Sequence, residues 1–151
     1  MLAVEMLTQL NRELTSDEML TFLAKVEPIG AEYVEYKKFD DTRYARNQVA
    51  TGNHFELILM CWKAGQESSI HDHGTSLCAV KVLEGTATER IYRRVGAQSV
   101  ALVEERKRHQ GTVFMDSDAG VHRIANTSLS DEPLVTLHLY SPPLSMSLYS
   151  E

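Results

Sequence analysis

From Ile29 onward the chain is a succession of short apolar runs separated by turn signals, with no helical pattern between them. This texture limits the fold more than any other feature. Strands are expected at 31–38, 55–63, 77–84, 86–93, 99–104, 111–115, 121–126 and 134–140. Glu84-Gly85 and Gly96-Ala97 read as turns, and Pro142-Pro143 stops the last strand. About eight short strands at regular spacing predict a mainly β protein, a small β-barrel or jelly-roll. The N-terminus differs. Leu2, Met6, Leu7 and Leu10 recur at helical spacing, and Ser16 reads as an N-cap with Asp17 and Glu18 in the first turn. A helix after it ends before Pro28. The expected organisation is one domain over 1–151, with a short helical segment at 1–28 and a β core at 30–143. The tail 144–151 carries no clear signal.

Composition narrows the function classes. The 151 residues are 43% hydrophobic and 24% charged, with a net charge of −6. That balance disfavours nucleic acid as a partner. The basic run Arg106-Lys107-Arg108-His109 reads as a solvated hairpin tip. No apolar run reaches the ~18 residues of a membrane span, and the first residues lack the basic and apolar parts of a signal peptide. No membrane partner and a cytoplasmic location are therefore expected; a monomer is the expected state, with an oligomer left open. Cys61 and Cys78 are too few for a disulfide scaffold.

The chemistry concentrates at Ile70-His71-Asp72-His73-Gly74. On a strand, residues i and i+2 share a face, roughly 6–7 Å apart. His71 and His73 then converge while Asp72 points away. His122, about fifty residues on in Gly120-Val121-His122-Arg123, offers a third nitrogen. Three neutral imidazoles suit Fe, Zn, Cu and Ni alike.

The flanking spacing is more specific. Gly65 precedes His71 by five intervening residues, four separate His73 from Cys78, and six more lead to Gly85. This resembles the first cupin motif, with Cys78 where that pattern has Glu. Five residues separate Gly111 from Ser117, and three separate His122 from Asn126. This resembles the second motif, with Ser117 and Ala119 in place of Pro and Gly. Beyond the histidines, Arg43-Tyr44-Ala45-Arg46-Asn47, Cys61-Trp62, Ser68-Ser69-Ile70-His71-Asp72-His73 and Leu137-His138-Leu139-Tyr140-Ser141-Pro142-Pro143 stand in order. Over Phe39 to Pro143 the chain resembles the cysteine dioxygenases, thiol dioxygenases of the cupin superfamily.

That resemblance implies a cupin-type barrel and one Fe(II) per chain on His71, His73 and His122. It implies that L-cysteine and O2 are converted to cysteine sulfinic acid. Arg46 would pair with the substrate carboxylate, with Tyr44 beside it. Tyr140 would lie over the iron, Cys78 could join it in a thioether crosslink, and His138 would hydrogen-bond toward the tyrosine. Thr136 falls where the family commonly has Ser, and Ser141-Pro142 matches a cis peptide. Trp62 is placed as a pocket wall. The family's larger members continue past the final Tyr-Ser-Pro-Pro block, so a more open pocket is expected here.

Elementary chemistry agrees with several of these roles. Leu134, Thr136, His138 and Tyr140 share one strand face, and a Thr-His-Tyr chain with His138 bridging two hydroxyls would satisfy it. Arg46 offers a bidentate fork to a carboxylate. Cys78 has the wrong parity for the metal side of an unbroken strand, so a loop or bulge is required at Gly74-Thr75-Ser76. Competing readings are a 3-mercaptopropionate or other small-thiol dioxygenase, a Zn or Ni cupin hydrolase or isomerase, and a non-catalytic metal-binding cupin sensor. The first of these classes typically has Gln in place of the Arg and lacks the Cys. A sensor would need a second domain for which 151 residues leave no room.

Overall fold

The β sequence folds as two five-stranded antiparallel sheets whose inner faces meet; the computed structural model describes residues 4–151. Leu2, counted in the first expected helix, lies outside them. Helices α1 (Val4–Gln9), α2 (Ser16–Ala24) and α3 (Gly30–Tyr36) come first. The first sheet contains β1 (Ala45–Thr51), β2 (Glu56–Trp62), β9 (Leu134–Ser141), β4 (Leu77–Glu84) and β7 (Val113–Met115), in that order. The second contains β10 (Leu148–Tyr149), β3 (Ile70–His71), β8 (Val121–Ala125), β5 (Thr86–Arg94) and β6 (Val100–His109). The strands form an open jelly-roll rather than a closed barrel, with β1, β7, β10 and β6 as edges.

The central strands explain the layering. Every residue of β9 is buried. Its odd positions Val135, Leu137 and Leu139 pack outward with Met19, Phe22 and Leu23 of α2. Its even positions face inward, where Leu134 and Tyr140 meet Ile58, Met60, Trp62, Cys78 and Ile124. One strand thus serves a dry core on one face and a polar cavity on the other. Lys81 of β4 lies under α2 and donates to the carbonyls of Ala24 (3.1 Å) and Val26 (2.6 Å), satisfying the helix end. Among the described residues no helix is long and apolar enough to cross a membrane.

Several local expectations are corrected. Residues 31–38 are not a strand: α3 occupies most of them, held by Tyr33, whose hydroxyl reaches Glu84. Val34 stays 70% exposed, so one aromatic anchor, not an alternating face, decides this segment. β1 escapes the pattern because Ala45–Thr51 is an edge strand with polar, half-exposed positions. β6 continues through Arg106-Lys107-Arg108-His109, so the tip lies beyond it. The N-cap is Thr15 rather than Ser16, in a reciprocal capping box with Glu18. A 3-10 turn, Asp116–Ala119, separates β7 from β8. The tail contributes β10, which pairs with β3.

Candidate metal centre

Strand register brings the histidines together. His71 of β3 is directly opposite His122 of β8, and their ring centroids are 4.7 Å apart. His73 lies just past β3, with centroids 5.2 Å from His71 and 4.8 Å from His122. All three are buried, and their nitrogens lie within 4.8 Å of one another. The grouping expected from spacing is present, although the strand carrying it is only two residues long.

The outer nitrogens orient two of the rings, while Nδ1 of His73 has no hydrogen-bond partner among the described residues. Nδ1 of His71 lies 2.8 Å from the Ser69 carbonyl, which only accepts, so that nitrogen donates and Nε2 is left bare. Nδ1 of His122 donates to Glu89, 3.0 Å away. Its Nε2 faces Nε2 of His73 at 3.3 Å. Burial, reinforced by the neighbouring imidazoles, lowers His71 to about 4 and His73 to about 3. Burial also opposes charge on His122, but Asp116 and Glu89 outweigh it and raise that group to about 10. Two facing nitrogens with inward lone pairs need a shared cation, either a proton or a metal ion. This donor set fits a divalent metal: a metal ion in place of the shared proton would find three inward nitrogens, with a carboxylate behind His122 and a backbone carbonyl behind His71.

The surrounding acids escaped the sequence reading. Glu89 of β5 is 0% exposed. Arg108 of β6 donates to it from Nε and Nη2 at 3.2 and 3.1 Å, and lies 4.2 Å over the Phe114 ring. Asp116 places Oδ1 3.2 Å from His122 Nδ1 and Oδ2 3.7 Å from His73 Nε2, and burial raises it to about 6. A carboxylate at the inward phase between Ala87 and Ile91 was the available signal for Glu89. The partner strand that supplies Arg108 had none.

The remaining site residues ring a small cavity above His71. Arg46, Tyr44, Trp62, His138, Tyr140 and Asp116 are among its walls, and about 10 Å³ of free space remains, room for roughly one water. Tyr44 stacks on Trp62 at 4.2 Å with planes 10° apart, and both side chains line the cavity. Arg46 Nη1 donates to the Tyr44 hydroxyl at 3.4 Å and keeps an exposed flank. Trp62 Nε1 donates to Thr136 Oγ1 at 2.9 Å, and Thr136 meets His138 Nε2 at 2.8 Å. The chain stops there. His138 Nδ1 has no partner among the described residues, and the His138 and Tyr140 rings lie side by side, centroids 6.1 Å apart. The expected second bridge to Tyr140 is therefore absent, because the two rings at i and i+2 present faces rather than edges to each other.

Cys78 of β4 is the direct cross-strand partner of Tyr140. The phase problem is solved before the strand starts. Gly74 takes φ 55°, and Ser76 N–H donates to the His73 carbonyl at 2.9 Å, forming the required loop. Burial pushes both the Cys78 thiol and the Tyr140 phenol well above their ordinary values. The Ser141-Pro142 bond is cis.

Comparison with known proteins is consistent with this geometry. The family model described as "Cysteine dioxygenase type I" matches residues 3–150. Cysteine dioxygenase type 1 of Rattus norvegicus is 38% identical over 135 residues, covering 87% of this chain and 67% of that protein. The protein of the same name from Homo sapiens is 37% identical over the same shares. Among solved structures, a conserved protein with a double-stranded beta-helix domain from Klebsiella pneumoniae is similar at TM-score 0.62, with 19% identity over 82% of this chain and 92% of that one. An RmlC-like cupin protein from Desulfovibrio desulfuricans is similar at TM-score 0.55, with 23% identity over 77% and 98%. These two likenesses concern the fold.

Proposed function

The chain belongs to the cysteine dioxygenase type I family, and from that premise we propose that it oxidises L-cysteine with dioxygen to cysteine sulfinic acid on ferrous iron held by His71, His73 and His122. The observation that carries the reading is the meeting of three buried imidazoles, their ring nitrogens within 4.8 Å of one another, beside a cavity lined by an arginine fork and a buried phenol. In the overall reaction a thiolate and O2 give a sulfinate. Both oxygen atoms end on sulfur, which loses four electrons while dioxygen gains four. Iron, when bound, supplies the redox chemistry that lets dioxygen react with a thiolate.

The protein's own groups do the rest. Arg46 stands at the mouth and binds the substrate carboxylate through its planar fork, and its neighbour Tyr44 fixes the guanidinium. The Tyr44–Trp62 stack walls the cavity, and the Trp62–Thr136–His138 chain locks that wall to β9. Tyr140 stays a neutral phenol at physiological pH and serves as a hydrogen-bond donor to the reacting group. Cys78, its cross-strand partner, is placed to restrain its ring, by contact or through a thioether bond.

The test uses purified protein loaded with Fe(II) in air, with L-cysteine and 3-mercaptopropionate in parallel and sulfinates detected by mass spectrometry. Cysteine sulfinate forming much faster is the expected result. A reversed preference keeps the thiol chemistry and overturns the role of Arg46. No sulfinate from either thiol, with iron verified in the protein, overturns the proposal.

A further inference from the structure

The residues after Pro143 turn back over β3, which carries His71, and the loop after it, which carries His73. Leu148 pairs with His71 and Tyr149 with Ile70, so among the described residues β3 has β8 on one side and this tail on the other. The contacts concentrate on Asp72, the residue between the histidines. Its backbone N–H donates to the Ser147 carbonyl at 3.1 Å. Its Oδ1 accepts from Ser147 N–H at 2.8 Å and Gly74 N–H at 3.1 Å. Its Oδ2 accepts from the Tyr149 hydroxyl at 2.8 Å and Arg94 at 3.3 Å. The loop and tail touch closely elsewhere. A Cβ at Gly74 would lie 2.4 Å from the Ser145 carbonyl oxygen. Ser76 Oγ donates to the Pro143 carbonyl at 3.0 Å. Beyond Tyr149, Ser150 is anchored at both polar backbone atoms, to Val100 and Gln98, at 3.0 Å each.

We propose that Asp72 and Tyr149 are positioning residues for the metal centre, a latch by which the tail holds His71 and His73 in register with His122. The proposal rests on the reading that these three histidines hold the metal. Its physical basis is that His73 lies outside any strand, so no ladder fixes it. The carboxylate of Asp72 gathers the loop's amide at Gly74 and the tail's amide at Ser147 onto one oxygen. Tyr149 holds the other oxygen, with its ring packed beside Ile70 and Val100 and the Arg94 guanidinium 5.1 Å from its centre. Ligand groups need placement within about 0.5 Å, which a free loop between β3 and β4 does not supply.

The full chain is loaded anaerobically with Co(II) as wild type, Tyr149→Phe, Asp72→Asn and, as a control, His122→Ala. Stoichiometry, ligand-field absorption, the rate of Co(II) release to a chelator and amide exchange over residues 70–76 are measured. Loss of the latch is expected to speed release about tenfold or more, to alter the ligand-field bands, and to raise exchange in the loop. After loading with Fe(II), turnover per bound metal should fall with little change in KM for cysteine. A merely structural role would lower the melting temperature and leave the spectrum of the folded fraction unchanged. Wild-type release and spectrum in Tyr149→Phe overturn the proposal, and that variant alone suffices if Asp72→Asn does not fold. If wild type fails to bind one Co(II) per chain, or His122→Ala binds it equally well, the metal-site reading itself falls and the latch with it.

Discussion

Glu89→Gln is the most direct test of how the second sheet prepares His122. The Glu89 carboxylate is fully buried, accepts from His122 Nδ1 at 3.0 Å on one oxygen, and receives Arg108 at 3.1 Å on the other. A hydrogen bond to a charged group is worth about 1.5–3 kcal/mol, and the neutral equivalent about half that. Gln preserves the volume and can still accept from His122 Nδ1–H through its one oxygen, but its amide NH2 then faces the Arg108 donors, so the substitution removes both the charge and the acceptor that Arg108 uses. The expected cost to metal binding is about 1–1.5 kcal/mol, or about tenfold in Kd at ~1.4 kcal/mol per decade. Glu89→Ala removes the acceptor as well and should weaken binding by about a hundredfold. The assay is anaerobic competition for Fe(II) or Co(II) against a chromophoric chelator, with circular dichroism to verify folding. Asp116 lies 3.2 Å from the same nitrogen and could take over the role, so Glu89→Gln/Asp116→Asn is measured alongside. Wild-type affinity in both variants would refute the argument that carboxylates orient His122 for a metal.

Other perturbations probe separate links of the structure. Arg46→Gln should raise KM for cysteine by about tenfold or more with a smaller effect on kcat, because a charge-assisted bidentate pair is lost; steady-state sulfinate production reads this, and an unchanged KM would remove Arg46 from the substrate site. Lys81→Met should cost about 2 kcal/mol by leaving the Ala24 and Val26 carbonyls without their charged donor, seen as a lower midpoint in urea. Leu137→Ala, in the fully buried outer face of β9, should cost about 2–5 kcal/mol in the same assay. Glu18 is lowered from 4.5 to about 2, chiefly by its hydrogen bond from Arg12 and then by the Thr15 backbone. Its folded value lies below its unfolded one, so its contribution is present above about pH 4.5 and fades as the pH falls toward 2; Arg12→Ala should flatten that part of the acid melting curve.

Much of this protein was legible along the chain because strand parity and loop spacing are local properties. The alternation in 134–140 separated the core face of β9 from its polar face, and both faces are as expected. The His71–His73 spacing and the distant His122 marked a metal centre because so few other patterns place three imidazoles on a β framework. What the chain alone did not carry is register. Whether His122 lies opposite His71, whether Cys78 lies opposite Tyr140, and which carboxylate backs which ring depend on strands far apart in sequence. Glu89 shows itself in sequence only by its phase between Ala87 and Ile91, and Arg108 looks like an ordinary surface charge until β5 and β6 are paired and it meets the buried Glu89 carboxylate. The tail 144–151 has no periodicity, yet it becomes a strand by pairing with two residues of β3. Hydrogen-bond partners, burial and the direction of each pKa shift belong to neighbours, and the fold alone chose those neighbours.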